Sequence, residues 1–185
     1  MELRTNRLKI RSFRETDLED TFEIYSNKNI CRFLLHEPWT SSSKDKEFQK
    51  KLMADQLTKE ASVSLACEVD NKVIGDISIW HTQMKETVEI GYVFNDQYSG
   101  KGYASEAIKC VIEYLFNIER VHRIQANLDA RNLLSAKLCE RVGMRKEAHF
   151  IKDFWSKGEW TDTFTYGMLI SDFKNSKGVL QNLNK

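Results

Sequence analysis

The chain opens with period-two alternation. In "RLKIRSF" (7–13), Leu8, Ile10 and Ser12 alternate with Lys9 and Arg11, the pattern of a half-buried strand. "TDLE" (16–19) reads as a capping box, with Thr16 as N-cap and Glu19 reaching back. It predicts a helix to about residue 26, with Leu18, Phe22 and Tyr25 at helical spacing. "EPWTSSSKD" (37–45) is a turn with a serine cap, followed by a charged helix over roughly 44–58 whose apolar face is Phe48, Leu52 and Met53. From residue 63 the period returns to two. "VSLACEVD", a turn at Asn71–Lys72 and "VIGDISIWH" predict an antiparallel hairpin, and "TVEIGYVFN" (87–95) the next strand. A helix then runs to about 118, with Ala104, Ile108, Val111, Ile112 and Leu115 as its buried stripe. "VHRIQANLD" (121–129) is a strand, and "NLLSAKLCERVG" (132–143) a helix closed by Gly143 as C-cap. "MRKEAHFIKDFW" and "EWTDTFTYGMLI" form a final hairpin across "SKGE".

The order is strand, two helices, three strands, helix, strand, helix, two strands. It predicts a mixed α/β fold: a seven-stranded, mostly antiparallel sheet flanked by about four helices, with one strand–helix–strand crossover. At 185 residues, without repeats or a linker, the expectation is a single domain over 1–173 and a loosely held polar tail over 174–185.

Charge narrows the partners. Lys plus Arg is 28 against 27 for Asp plus Glu, so no basic field argues for nucleic acid. "MELRTNRLKIRSF" has no signal-peptide core and no window approaches a membrane span, so the expected location is cytoplasmic. The four cysteines (31, 67, 110, 139) form no CxxC pair and the four histidines are scattered. Reduced, mostly buried thiols and no metal are expected.

The stretch that carries chemistry is "QYSGKGYASEA" (97–107). Gly100 and Gly102 lie between a strand and a helix start. Glycine lets backbone approach a ligand closely, and free N–H groups at the positive end of a helix dipole suit an anion. The string matches neither GxxxxGK[ST] nor GxGxxG, since Ser105 stands at the third glycine site of the latter. A tight turn that merely uses glycine is the plain alternative.

Around that stretch stand "EIGY", QxxGxG, "HRI", Asn132-x-x-Ser135 ("NLLS") and "GEWTD" (158–162), in that order. Together they resemble the GNAT superfamily of acetyl-CoA-dependent N-acyltransferases, and within it the ribosomal-protein alanine N-acetyltransferases of the RimJ/RimL type. The resemblance covers nearly the whole chain. It implies the GNAT fold with a splayed strand, acetyl-CoA as co-substrate, and direct attack by a primary amine in a ternary complex. It also implies that Tyr98, Ser99, Gly100, Lys101, Gly102, Tyr103 and Ala104 hold the pyrophosphate, that Tyr92, Val93 and Phe94 run along the pantetheine arm, and that Asn132 and Ser135 lie beside the arm and its sulfur.

Acetyl transfer needs a deprotonated amine, aimed donors for the oxyanion and a donor for the departing thiolate. An α-amine, with a pKa of about 8, loses its proton more readily than a lysine near 10.4. Ser135 is the expected thiolate donor, with Asn132 on the same helix face; Asn132 as a helix cap beside an exposed serine is the alternative. Glu89 is the expected base, acting through water, against an edge carboxylate in a cross-strand ion pair. Asp162 is a second acidic candidate. For Tyr92 a packing role is the preferred reading, Cys139 reads as core, and Lys101 and Lys137 could meet phosphates or only solvent.

The acceptor site is expected between the first helices and the final hairpin: Phe33 to Trp39, the 44–58 helix, and Phe150 to Trp160. Trp39, Phe154, Trp160 and Asp162 are its candidates, with Trp155 beside them. The branch resemblance favours a protein or peptide α-amine. A polyamine or antibiotic-like amine, and in another class a non-catalytic acyl-CoA sensor, stay open. A homodimer is compatible with all of these.

Overall fold

Most period-two runs become strands because a helix layer waits to cover at least one of their faces; the run over 145–156 stays exposed and is held by pairing with 159–169. The computed structural model describes residues 1–175. Its strands are β1 (Glu2–Arg4), β2 (Lys9–Ser12), β3 (Val63–Val69), β4 (Lys72–His81), β5 (Thr87–Phe94), β6 (Arg123–Asp129), β7 (Arg145–Ser156) and β8 (Glu159–Leu169). They form one eight-stranded sheet in the order β1-β2-β3-β4-β5-β6-β8-β7. All neighbours are antiparallel except β5 and β6, the parallel pair that the crossover demands. The helices are α1 (Leu18–Tyr25), α2 (Lys28–Cys31), α3 (Lys44–Met53), α4 (Tyr103–Asn117) and α5 (Leu133–Arg141).

Several expectations need correction. The sheet has eight strands, not seven: β1 adds an edge against β2, and three residues are too short to show alternation. The lone turn α2 is also additional, and residues 170–175 are helical where strand end and tail were expected. The rest of the expected tail, 176–185, lies outside the described residues. The third helix stops at Met53, which is 76% exposed rather than on a buried face. Entry to α1 is organised by Asp17, not by a Thr16–Glu19 box: its carboxylate accepts from the Arg14 N–H (2.7 Å) and from the Arg11 guanidinium (2.6 Å), while Glu19 meets Lys44 (2.6 Å). The β3–β4 turn is Asp70–Asn71, both at positive φ, one residue before the expected pair.

The sheet is covered on both sides. Ile77, Ile79, Val88, Ile90 and Ile124 pack with Ile108, Val111 and Leu115 of α4 and with Cys139 of α5. On the other face Ala66 and Val73 pack with Ile24, Tyr25, Trp39 and Phe48 from the α1–α3 layer. That second layer is pinned by one buried group. Asp76 of β4 accepts from the Tyr25 hydroxyl (2.7 Å) and from Lys51 Nζ of α3 (2.6 Å).

Asp76→Ala would leave a nearly buried ammonium and phenol without their shared acceptor. Such a break costs about 3–5 kcal/mol. Urea denaturation should show a loss of that order, whereas Lys85→Ala at an exposed ion pair should change stability by less than about 0.5 kcal/mol.

Candidate active site

The parallel pairing of β5 and β6 is short. Only Thr87–Arg123, Val88–Ile124 and Glu89–Gln125 are in register. Beyond Glu89, β5 stays paired with β4 as far as Phe94, and β6 stays with β8 as far as Asp129. The two strands therefore part, and the β6-facing edge of residues 90–94 has no ladder partner among the described residues. This is the expected splay, a slot through the sheet lined by backbone donors and acceptors.

Strand alternation gives the slot two different mouths. Glu89, Gly91 and Val93 face the α1–α3 side, because they stand opposite Trp80, Ser78 and Asp76. Tyr92 faces α5, where its hydroxyl meets the Ser135 carbonyl (3.2 Å) and Cys139 Sγ (3.1 Å). Burial, with the nearby Cys139 sulfur, holds the Tyr92 phenol well above its ordinary pKa and keeps it protonated. The packing role read from the sequence is thus real: Tyr92 ties β5 to α5.

At one end of the slot lies the glycine loop. Asn95 caps a short 3-10 turn, Asp96–Tyr98, by accepting from the Gln97 N–H (3.1 Å). Gly100 (φ 76°) and Gly102 (φ 83°) then take left-handed conformations, and Gly102 is the N-cap of α4 with no side chain to cap it. The N–H groups of Gly100 to Ser105 have no acceptor among the described residues. A Cβ at Gly100 would meet nothing within 4 Å. Unpaired donors at the positive end of a fifteen-residue helix fit a pyrophosphate.

The loop is held from outside by a residue the sequence reading passed over as a strand start. Arg7 donates to the Lys101 carbonyl (3.0 Å), bonds Glu106 (2.7 Å) and lies 4.5 Å over the Tyr103 ring. Arg141 of α5 reaches Ser105 Oγ at 3.3 Å, bringing a second cation to the same helix end. The Lys101 ammonium lies over the Tyr98 ring at 5.0 Å.

On α5, Asn132 is the N-cap and accepts from the Ser135 N–H at 3.1 Å. Both are partly exposed, on the helix that Tyr92 tethers beside the slot.

Glu89 has no ion-pair partner among the described residues. Its Oε2 accepts from Gln125 Nε2 (2.9 Å) and Asn127 Nδ2 (3.0 Å), both from β6. Thr165 of β8 in turn donates to Asn127 Oδ1 (2.7 Å), fixing that amide's orientation. A carboxylate aimed by neutral amides keeps its charge available to a third party. The two amides could not be foreseen, since nothing in the sequence gives the β5–β6 register.

Asp162 sits elsewhere. It shares a face with Phe164 and Tyr166, the α5 side of β8, while Glu89 looks out on the opposite side. The Lys152 N–H (3.0 Å) and His149 (3.1 Å) hold its carboxyl below the usual range. It lines an open cleft of about 290 Å³ with Arg131, His149, Trp160 and Phe164. Trp39 is buried and stacked on Tyr25 at 4.6 Å, inside the α1–α3 core. Phe154 and Trp160 are exposed on the final hairpin, with Trp155 edge-on to Trp160. The hairpin tip does reach the first helices: Lys157 Nζ donates to the Cys31 carbonyl (2.7 Å), and Arg131 bridges Glu159 to the Phe33 ring. Among the described residues no three potential metal ligands cluster.

Comparison with known proteins places this geometry. The family described as acetyltransferase (GNAT) domain matches residues 7–145. The uncharacterized N-acetyltransferase YnaD of Bacillus subtilis (strain 168) is 32% identical over 94% of this chain and 99% of its own length. A spermidine N(1)-acetyltransferase of Vibrio cholerae is 23% identical over 92% of this chain and 97% of its own. The crystal structure of a GNAT-family acetyltransferase from Bacillus anthracis superposes with a TM-score of 0.82 at 30% identity, covering 92% of this chain and 99% of the other.

Gly102→Asp puts a carboxylate and an unfavourable φ where an anion would bind. Isothermal titration should show coenzyme A affinity reduced by at least about tenfold, with stability lowered only by the backbone term of about 1 kcal/mol. Unchanged affinity would remove the loop from the site.

Proposed function

Because this chain belongs to the acetyltransferase (GNAT) family and is an acetyl-CoA-dependent N-acetyltransferase, we propose that it acetylates a singly charged primary amine, foremost a protein or peptide α-amine. In this reading residues 1–173 act as one catalytic unit in the cytoplasm, in keeping with the ribosomal-protein alanine branch that the motifs resemble. The observation that carries it is how the carboxylates around the slot are committed. Glu89 is bonded by amides alone. Glu147 is engaged by Arg123 and Arg145, Asp129 and Glu159 by Arg131, and Asp162 by His149 and Lys152. The Arg123 bond holds Glu147, and the Arg131 bonds hold Asp129 against the effect of burial, below the usual carboxylate range. Of these five carboxylates Glu89 alone has no cation on it, and that single charge in the slot matches one ammonium. A polyamine, the second reading, would need several, and the 23% identity to a spermidine enzyme is its support.

Acetyl-CoA supplies an activated thioester, and the chain supplies everything else. The Gly100–Ser105 donors take the pyrophosphate, and the unpaired edge of residues 90–94 offers ladder bonds to the pantetheine amides. A backbone N–H near Tyr92 or Val93 is aimed to stabilise the oxyanion. On the acceptor side, Glu89 takes a proton from the arriving ammonium through water. The neutral nitrogen then attacks, the C–S bond breaks, and the nitrogen sheds its second proton. On the α5 side the Ser135 hydroxyl donates to the leaving thiolate, which ends protonated; the net reaction releases one proton to solvent. The two sides of the sheet thereby separate base from acid, and Glu89 is preferred to Asp162 on that ground.

A thiol-release assay should find an alanine-initiated peptide turned over with higher kcat/KM than spermidine; the reverse order would establish the polyamine reading instead. Glu89→Gln should lower kcat/KM about a hundredfold, and Ser135→Ala should lower kcat at least about tenfold with acetyl-CoA affinity unchanged.

A further inference from the structure

Trp80 stands directly opposite Glu89 across the β4–β5 ladder, so both side chains leave the same face of the sheet. Its ring leans diagonally along β5: a Cβ built on Gly91 would lie 3.4 Å from Trp80 Cη2 and Cζ3. Gly91 is the second residue past the last β5–β6 pairing, where the slot has opened. The indole thus covers bare backbone at the acceptor-side mouth, with the Glu89 carboxylate beside it. Trp80 is only half-buried, and with residues 59–62 and His81 it lines an open cleft of about 340 Å³.

The other three tryptophans, and two of the tyrosines, are matched. Trp39 stacks on Tyr25, Trp155 meets Trp160, and Arg7 and Lys51 lie over Tyr103 and Tyr25. The Trp80 ring has no aromatic or cationic partner among the described residues. A tryptophan face is the best aromatic surface for an ammonium, and here it adjoins the one amide-held carboxylate of the site.

We propose that Trp80 is the acceptor-recognition residue, receiving the ammonium of the incoming amine on its indole face and delivering it to Glu89. The proposal rests on the amine-acetyltransferase reading above. The amine arrives charged at neutral pH and must be neutral to attack. The nitrogen is cationic on arrival and becomes cationic again as it attacks the carbonyl, so the indole binds the arriving reactant and the transition state about equally. Its contribution falls on acceptor KM rather than on kcat.

Two variants and two probes test this. With an alanine-initiated tetrapeptide and with spermidine, Trp80→Leu should raise the acceptor KM about tenfold, and Trp80→Phe, which keeps a π face, less than about threefold. In both variants kcat and the KM for acetyl-CoA should stay within about twofold of wild type. Isothermal titration of the tetrapeptide into the enzyme complexed with free coenzyme A, where no transfer occurs, should show the same ranking. An unchanged acceptor KM in Trp80→Leu overturns the proposal. So does an equal loss in Leu and Phe variants, or a loss of acetyl-CoA affinity and melting temperature together, which would make Trp80 a cover for Gly91 and nothing more. If the wild type transfers acetyl to neither probe, the amine-acceptor reading fails and takes this proposal with it.

Discussion

The structure turns on a ladder that stops early. Two parallel strands pair for three residues and then separate, each held by its other neighbour. A backbone edge left open inside a sheet is costly unless something pairs with it. Here the open edge of β5 has the pyrophosphate-shaped loop at its end and two chemically different side-chain sets on its two faces. Ladder, loop and alternation together make a site for an extended molecule with an anionic end and a reactive end in the slot. That description fits an acyl-CoA thioester.

The rest of the fold keeps that edge in place. Tyr92 ties β5 to α5 from one side, while Asp76 anchors α1 and α3 to β4 on the other. Arg7, from the start of the chain, braces the glycine loop through Lys101 and Glu106. Each of these bonds spans more than twenty residues of sequence. The slot is therefore held rigidly enough to be present before any ligand arrives.

Much of this was legible in the amino-acid sequence, because strong local signals carried it. Period-two runs marked seven of the eight strands, and Gly100, Gly102 and Gly143 stand where positive φ was needed. The pairing of Asn132 with Ser135 followed from helical spacing. What stayed hidden depends on register and long-range contact. Glu89 could be named, but its amide partners Gln125 and Asn127 and its neighbour Trp80 follow from strand pairing that no local pattern encodes. Trp39 could line a pocket or simply cover the core, and tertiary packing decided for the core by burying it against Tyr25. Thr16 looked like the cap of α1, and Asp17 took that position because Arg11 from β2 was there to pair with it.

The central claim is that acetyl-CoA occupies the gap between β5 and β6 and pairs with the open edge of β5. Amide hydrogen exchange with and without coenzyme A measures this directly. Residues 90–94 and 100–105 should exchange markedly more slowly in the complex, while β1, β2 and the exposed β7–β8 hairpin should stay unchanged. Protection confined to the Asp162 cleft or the hairpin, with residues 90–94 exchanging as in the free protein, would contradict the account.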